Sequence, residues 1–114
     1  MAKIPIGLVD DAENVTYKTY GRGGASANAN NYCNVYRFGN VRIIRFKYTD
    51  SAASETIFSL DAIDKPIEAI NFIAGDTSYQ TRVTVDTTPS LIASGAHTGG
   101  VWGMCTYVVE AKSV

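Results

Sequence analysis

Residues 40–48 read Asn-Val-Arg-Ile-Ile-Arg-Phe-Lys-Tyr (NVRIIRFKY), and the reading of this run decides the fold. It is rich in β-branched and aromatic residues, holds no Gly or Pro, and lies between Gly39 and the polar Thr49-Asp50-Ser51. Those features predict a strand. Side chains of a strand alternate between faces, so Val41, Ile43, Arg45 and Lys47 share one side and Arg42, Ile44, Phe46 and Tyr48 the other. The Ile44-Phe46-Tyr48 side is read as core and the Arg45-Lys47 end of the opposite side as solvent-facing. Ile43 would be accommodated if the strand were covered on both faces near its centre.

Working outward, Tyr32–Phe38 (YCNVYRF) alternates as well, with Tyr32, Asn34, Tyr36 and Phe38 opposed to Cys33, Val35 and Arg37. Gly39-Asn40 joins it to the central run. Both residue types tolerate positive φ, so a two-residue hairpin turn is expected there. Upstream, Gly21–Asn31 (GRGGASANANN) is low in complexity and apolar area, and is expected to be a mobile loop. Its Gly-Arg-Gly-Gly start lacks the Lys-Ser/Thr and the helix that a phosphate cradle needs. Val15–Tyr20 reads as a first strand, preceded by a lead-in over residues 1–13 with one helical turn near Val9 to Glu13. Residues 14–114 are taken as the folded domain.

Downstream, a polar turn over Thr49 to Ser54 leads to a strand at Glu55–Leu60 and a loop at Asp61–Pro66. Ile67–Ala74 fits a helix face or a strand; Pro66, Gly75 and the short length favour strand. Tyr79–Asp86 alternates, with Tyr79, Thr81, Val83 and Val85 inward and Gln80, Arg82, Thr84 and Asp86 outward. Ser90–Ala93 is a short strand, Ser94–Gly100 a flexible loop, and Val101–Glu110 the last strand. Seven to nine short strands broken by turn residues define an all-β chain: an antiparallel sandwich, jelly roll or barrel.

The 114 residues suit one domain with its own core, burying roughly 65% of the unfolded surface. A formal net charge of −1, from 10 basic and 11 acidic residues scattered along the chain, supplies no field for nucleic acid or an anionic membrane. No apolar run approaches the ~20 residues of a membrane span. Cys33 and Cys105 belong to no metal-binding pattern; two buried thiols or a single closing disulfide are the readings left open. No cofactor or metal site is expected. His97 is the one histidine, in a Gly-rich stretch, and no Ser or Cys has a nucleophile's setting. An enzyme is therefore not expected.

Binding is the better-supported class. Seven Tyr, four Phe and one Trp exceed what a small core hides, and rings left at a surface stack on sugar C–H faces or fill subunit contacts. The candidates are Trp102 and Tyr79 as rings, with Arg82, Asp76 and His97 as polar partners. Each has a plain alternative: core or subunit contact for the rings, an ordinary solvated or loop residue for the others.

The order of features over roughly residues 35–110 resembles a known family. ETIFSL, the Lys65-Pro66 loop, INFIAG, TRVTVDT, SLIASG and the closing WGMCTYVVE follow one another as they do in the C-terminal heads of receptor-binding proteins from siphophages of Gram-positive hosts. The resemblance implies a β-sandwich head, a homotrimer at a tail tip or baseplate beside other virion tail proteins, that binds host cell-wall or surface polysaccharide and acts outside the cell. It assigns no individual contact residue. A structural virion domain without its own ligand and a bacterial carbohydrate-binding module are the competing readings.

Overall fold

A computed structural model describes residues 15–74, 79–83 and 88–110, without the side chains of residues 73, 74, 79, 80 and 82. The expected lead-in over residues 1–13, and the inward Val85 and outward Thr84 and Asp86, lie outside the described residues. The described residues form eight strands: β1 (Thr16–Tyr20), β2 (Tyr32–Phe38), β3 (Val41–Ser51), β4 (Glu55–Ser59), β5 (Ile70–Ala74), β6 (Tyr79–Val83), β7 (Ser90–Ala93) and β8 (His97–Val108). They form two four-stranded antiparallel sheets, β1-β2-β3-β8 and β4-β7-β6-β5. The second sheet places β4 beside β7 after the β5-β6-β7 meander, a Greek-key order. The chain is an all-β sandwich.

The central run behaves as its alternation requires. Arg42, Ile44, Phe46 and Tyr48 are buried, while Arg45 is exposed. Ile43 is half-buried between Tyr36 and Thr106, which flank it on the same face; among the described residues no second layer covers it. The β2–β3 hairpin pairs Phe38 with Val41 across Gly39-Asn40. Gly39 has φ 59°, the backbone that a turn with Gly in its first central position requires.

The core lies between the sheets. Val35, Ile44, Phe46, Tyr48 and Val101 meet Ile57, Phe58, Val83, Leu91 and Ala93, all without solvent exposure. Phe46 meets Phe72 edge-on at 5.7 Å, and the Tyr48 hydroxyl lies 3.4 Å from that of Thr81. The inward assignment of Thr81 and Val83 is thereby met. In β4 a bulge between Thr56 and Phe58 breaks the register with β7, which lets the consecutive Ile57 and Phe58 both bury.

Three boundaries differ from the sequence reading. β8 begins at His97, so His97–Gly100 is strand paired with the end of β3 and not loop. There β3 runs on through Ser51, past the expected turn at Thr49, and the pairing is irregular: the register shifts between Thr49 and Ser51, with Asp50 at φ 57° and Gly99 at φ 86°. β5 starts at Ile70, since Pro66 and Ile67 are drawn to the end of β8: Pro66 bridges Val109, and the Ile67 amide donates to the Val108 carbonyl at 3.1 Å. Gly21–Asn31, expected to be mobile, is built around Arg22. Its guanidinium donates to the Thr49 carbonyl (2.5 Å), the Asp50 carbonyl (2.7 Å), Asn31 Oδ1 (3.1 Å) and Glu55 Oε2 (2.8 Å). One long cation tying three segments offsets the ordering entropy that small residues cannot.

Candidate ligand-binding face

The register of the first sheet places its outward residues in rows. From β1 to β8 these read Tyr17–Tyr36–Ile43–Thr106, then Thr19–Asn34–Arg45–Met104, then Tyr32–Lys47–Trp102 from β2 onward. At the hairpin end the row is Phe38–Val41–Val108. Trp102 and Tyr17 are each 59% exposed and Met104 63%. This is a broad apolar and aromatic surface on a face that an ordinary sandwich presents to water with polar side chains.

The rings are held by their neighbours. Tyr17 stacks on Tyr36 with centroids 5.3 Å apart and planes 13° from parallel. The Arg45 guanidinium lies 5.3 Å from the Tyr32 ring centre, and Lys47 Nζ 5.8 Å from that of Trp102. Both distances are within the reach of a cation–π contact. A Cβ on Gly100 would come within 3.2 Å of the Lys47 side chain and 3.5 Å of the indole, so the glycine leaves room for that pair. These rows carry two cations and no carboxylate. The platform can stack on flat apolar faces and attract anionic groups between its rings.

The fold gives this face a polarity. The chain enters β1 at Thr16, opposite Arg37, and leaves β8 at Val108, opposite Val41, so both flanks depart beside the Gly39-Asn40 hairpin. Tyr32, Lys47 and Trp102 sit toward the other end, near the Arg22-anchored loop.

Of the five residues singled out from sequence, Trp102 stands on this platform, outside the core and 59% exposed. His97 opens β8 opposite Ser51, half-buried and beyond the ring rows. Tyr79 and Arg82 belong to β6 in the other sheet, with side chains outside the description, and Asp76 lies outside the described residues. Tyr17, Tyr32, Tyr36, Arg45, Lys47 and Met104 were not selected. A signal for Tyr32 was available: the two-residue hairpin sets Tyr32 opposite Lys47 once the register is counted.

A second polar centre lies inside the hairpin end. Asp64, in the 3₁₀ turn Ala62–Asp64, is fully buried. It accepts from Arg37 Nε (2.9 Å) and Nη2 (2.7 Å), Arg42 Nε (2.7 Å) and the Tyr20 hydroxyl (3.0 Å). The Tyr107 hydroxyl donates to the Asp64 carbonyl at 2.7 Å, and Arg42 also donates to the carbonyls of Gly39, Val41 and Ile63. Burial opposes ionisation of Asp64, but the bonds from Arg37, Arg42 and Tyr20 outweigh it and hold the carboxyl below its ordinary range. Burial pushes the Tyr20 and Tyr107 phenols far up. The network ties the β4–β5 connection to the first sheet. Cys33 and Cys105 are free thiols on the inner face, both pushed up by burial, Cys105 to about 12.

Among the described residues no group of three His, Cys, Asp or Glu is placed to hold a metal ion. Compared with known proteins, the chain matches no family model, no curated protein and no solved structure.

Proposed function

We propose that this chain is a non-catalytic binding module that recognises surface polysaccharide through the outer face of the β1-β2-β3-β8 sheet. The observation that carries the reading is the row arrangement of Tyr17, Tyr36, Tyr32 and Trp102, more than half exposed at its ends and interleaved with Arg45 and Lys47. Rings of this kind stack on sugar C–H faces, and the two cations favour a polymer bearing negative groups. Each contact would be weak. Several copies on one particle gain about 10²–10⁴ in avidity without new contacts, which is how a phage head at a tail tip or baseplate would hold a Gram-positive cell wall. Tyr32, Lys47 and Trp102 lie at the end of the face far from where the chain enters β1 and leaves β8, while Tyr17 and Tyr36 stand beside that departure.

A second reading has its own observation. Met104, Phe38 and Val108 are exposed on the same face, and aliphatic surface of this kind suits contact between copies in a virion assembly. One experiment separates the two. Trp102→Ala and Met104→Ser are prepared separately, and binding to purified cell walls and oligomer mass by light scattering are measured for each. The saccharide reading requires Trp102→Ala to lose about two- to tenfold in binding, the worth of one stacked ring, at unchanged mass. Loss of mass with cell-wall binding absent throughout would leave assembly as the function.

A further inference from the structure

At the hairpin end, away from the ring face, a cleft of about 640 Å³ opens between the Gly39-Asn40 turn, the 3₁₀ turn Ala62–Asp64 and the end of β8. That volume is in the range of small-molecule sites, roughly 300–1,000 Å³. Ala62, Ile63 and Val109 form its apolar wall, and Arg37, Arg42 and Lys65 supply its charge, with Glu110 the carboxylate in its lining.

Among the described residues the charges around the cleft do not cancel. Arg37 and Arg42 converge on the single carboxylate of Asp64. Asp61, 3.6 Å from Arg37, is already paired with Lys18 at 2.8 Å. With Lys65 and Glu110 included, the cations Lys18, Arg37, Arg42 and Lys65 face Asp61, Asp64 and Glu110, and Tyr20 and Tyr107 are neutral. The charge left over is that of Lys65, an exposed cation in the cleft's lining. The spare donors point to where it would be met. Arg37 uses Nε and Nη2 on Asp64, so its Nη1 has no acceptor among the described residues, whereas Arg42 is taken up by Asp64 and three carbonyls. Lys65 has no carboxylate partner among the described residues. Ile63, at 55% exposure, stands beside them as unclaimed apolar surface.

We infer that this cleft is a second binding site, for a small organic anion: a carboxylate or phosphate group met by Arg37 Nη1 and Lys65 Nζ, on a compact apolar body that lies against Ile63 and Val109. The site is independent of the ring face, and neither reading needs the other.

The test is a titration of the ¹⁵N-labelled full chain at constant ionic strength with butyrate, its uncharged isostere butyramide, and inorganic phosphate. Butyrate should shift the Gly39, Asn40 and Lys65 amides in a saturable way with a Kd below ~10 mM, and butyramide should not. Lys65→Gln, at an exposed position, should weaken binding about five- to tenfold, the scale of one charge contact. Ile63→Ser should weaken butyrate but not phosphate. Saturation by phosphate and not butyrate would keep the anion site and identify phosphate as its group. Equal response to butyramide, saturation by neither anion, or unchanged affinity in Lys65→Gln would overturn the inference.

Discussion

Replacing Asp64 by Asn removes one charge and leaves a group of nearly the same size, so the outcome reports on the buried network and not on packing. Three of the four hydrogen bonds to its carboxylate oxygens come from guanidinium groups, each worth about 1.5–3 kcal/mol in isolation. Those values do not add, because the bonds share one acceptor group. The relevant magnitude is the cost of breaking a buried ion pair by removing one partner, about 3–5 kcal/mol. The Asn carbonyl can keep one arginine bond, so a loss near ~3 kcal/mol is expected, against a whole-domain stability of about 5–15 kcal/mol. Urea unfolding followed by fluorescence, with an unchanged m value, measures it. Asp61→Asn is the control: its carboxylate is 44% exposed and paired with an exposed lysine, so its loss should be at most about 1 kcal/mol. The pH dependence has a definite sign. A carboxyl held below its unfolded pKa of about 3.9 contributes fully above that value and loses its contribution as pH falls through the lower folded pKa. The natural chain should therefore lose stability below about pH 4 more steeply than Asp64→Asn. A cost below ~1 kcal/mol, or one equal to that of Asp61→Asn, would refute the claim that the network locks the β4–β5 connection to the first sheet.

Two further outcomes are expected. Arg22→Ala removes four hydrogen bonds at a site with 24% side-chain exposure and should cost about 1–3 kcal/mol; amide exchange should quicken across residues 23–31 and the Glu55 carboxyl, lowered first by its bond from Arg22, should titrate higher. Cys33 and Cys105, with thiols raised by burial, should react with a thiol reagent only slowly at pH 8 in the native chain and rapidly in urea, with two equivalents consumed and no prior reduction. Rapid native labelling would show that the inner face is more open than the described packing.

Much of the fold was legible because its signals are local. The period of two in Tyr32–Phe38 and Asn40–Tyr48, the Gly-Asn turn and the alternation that sends Thr81 and Val83 inward depend on neighbours in sequence. The boundaries that moved did so for reasons beyond any short window. His97–Gly100 became strand because β3 runs long enough to offer it a partner, and β5 shortened because Val108 and Val109 bind Ile67 and Pro66. Gly21–Asn31 looked structureless because its organiser, Arg22, finds its acceptors on residues 49, 50 and 55.

From sequence by itself the chain is determined to be all-β, with its central strand and which of that strand's faces is buried, since hydrophobic alternation is a property of the backbone repeat. Only the tertiary structure decided which rings share a surface. Tyr17, Tyr32, Tyr36 and Trp102 are scattered over more than eighty residues, and cross-strand register, set by non-local hydrogen bonds, brings them to one face. The same holds for Arg37, Arg42 and Asp64, which read in sequence as ordinary charged positions and become a buried centre only when the β4–β5 connection folds against the first sheet.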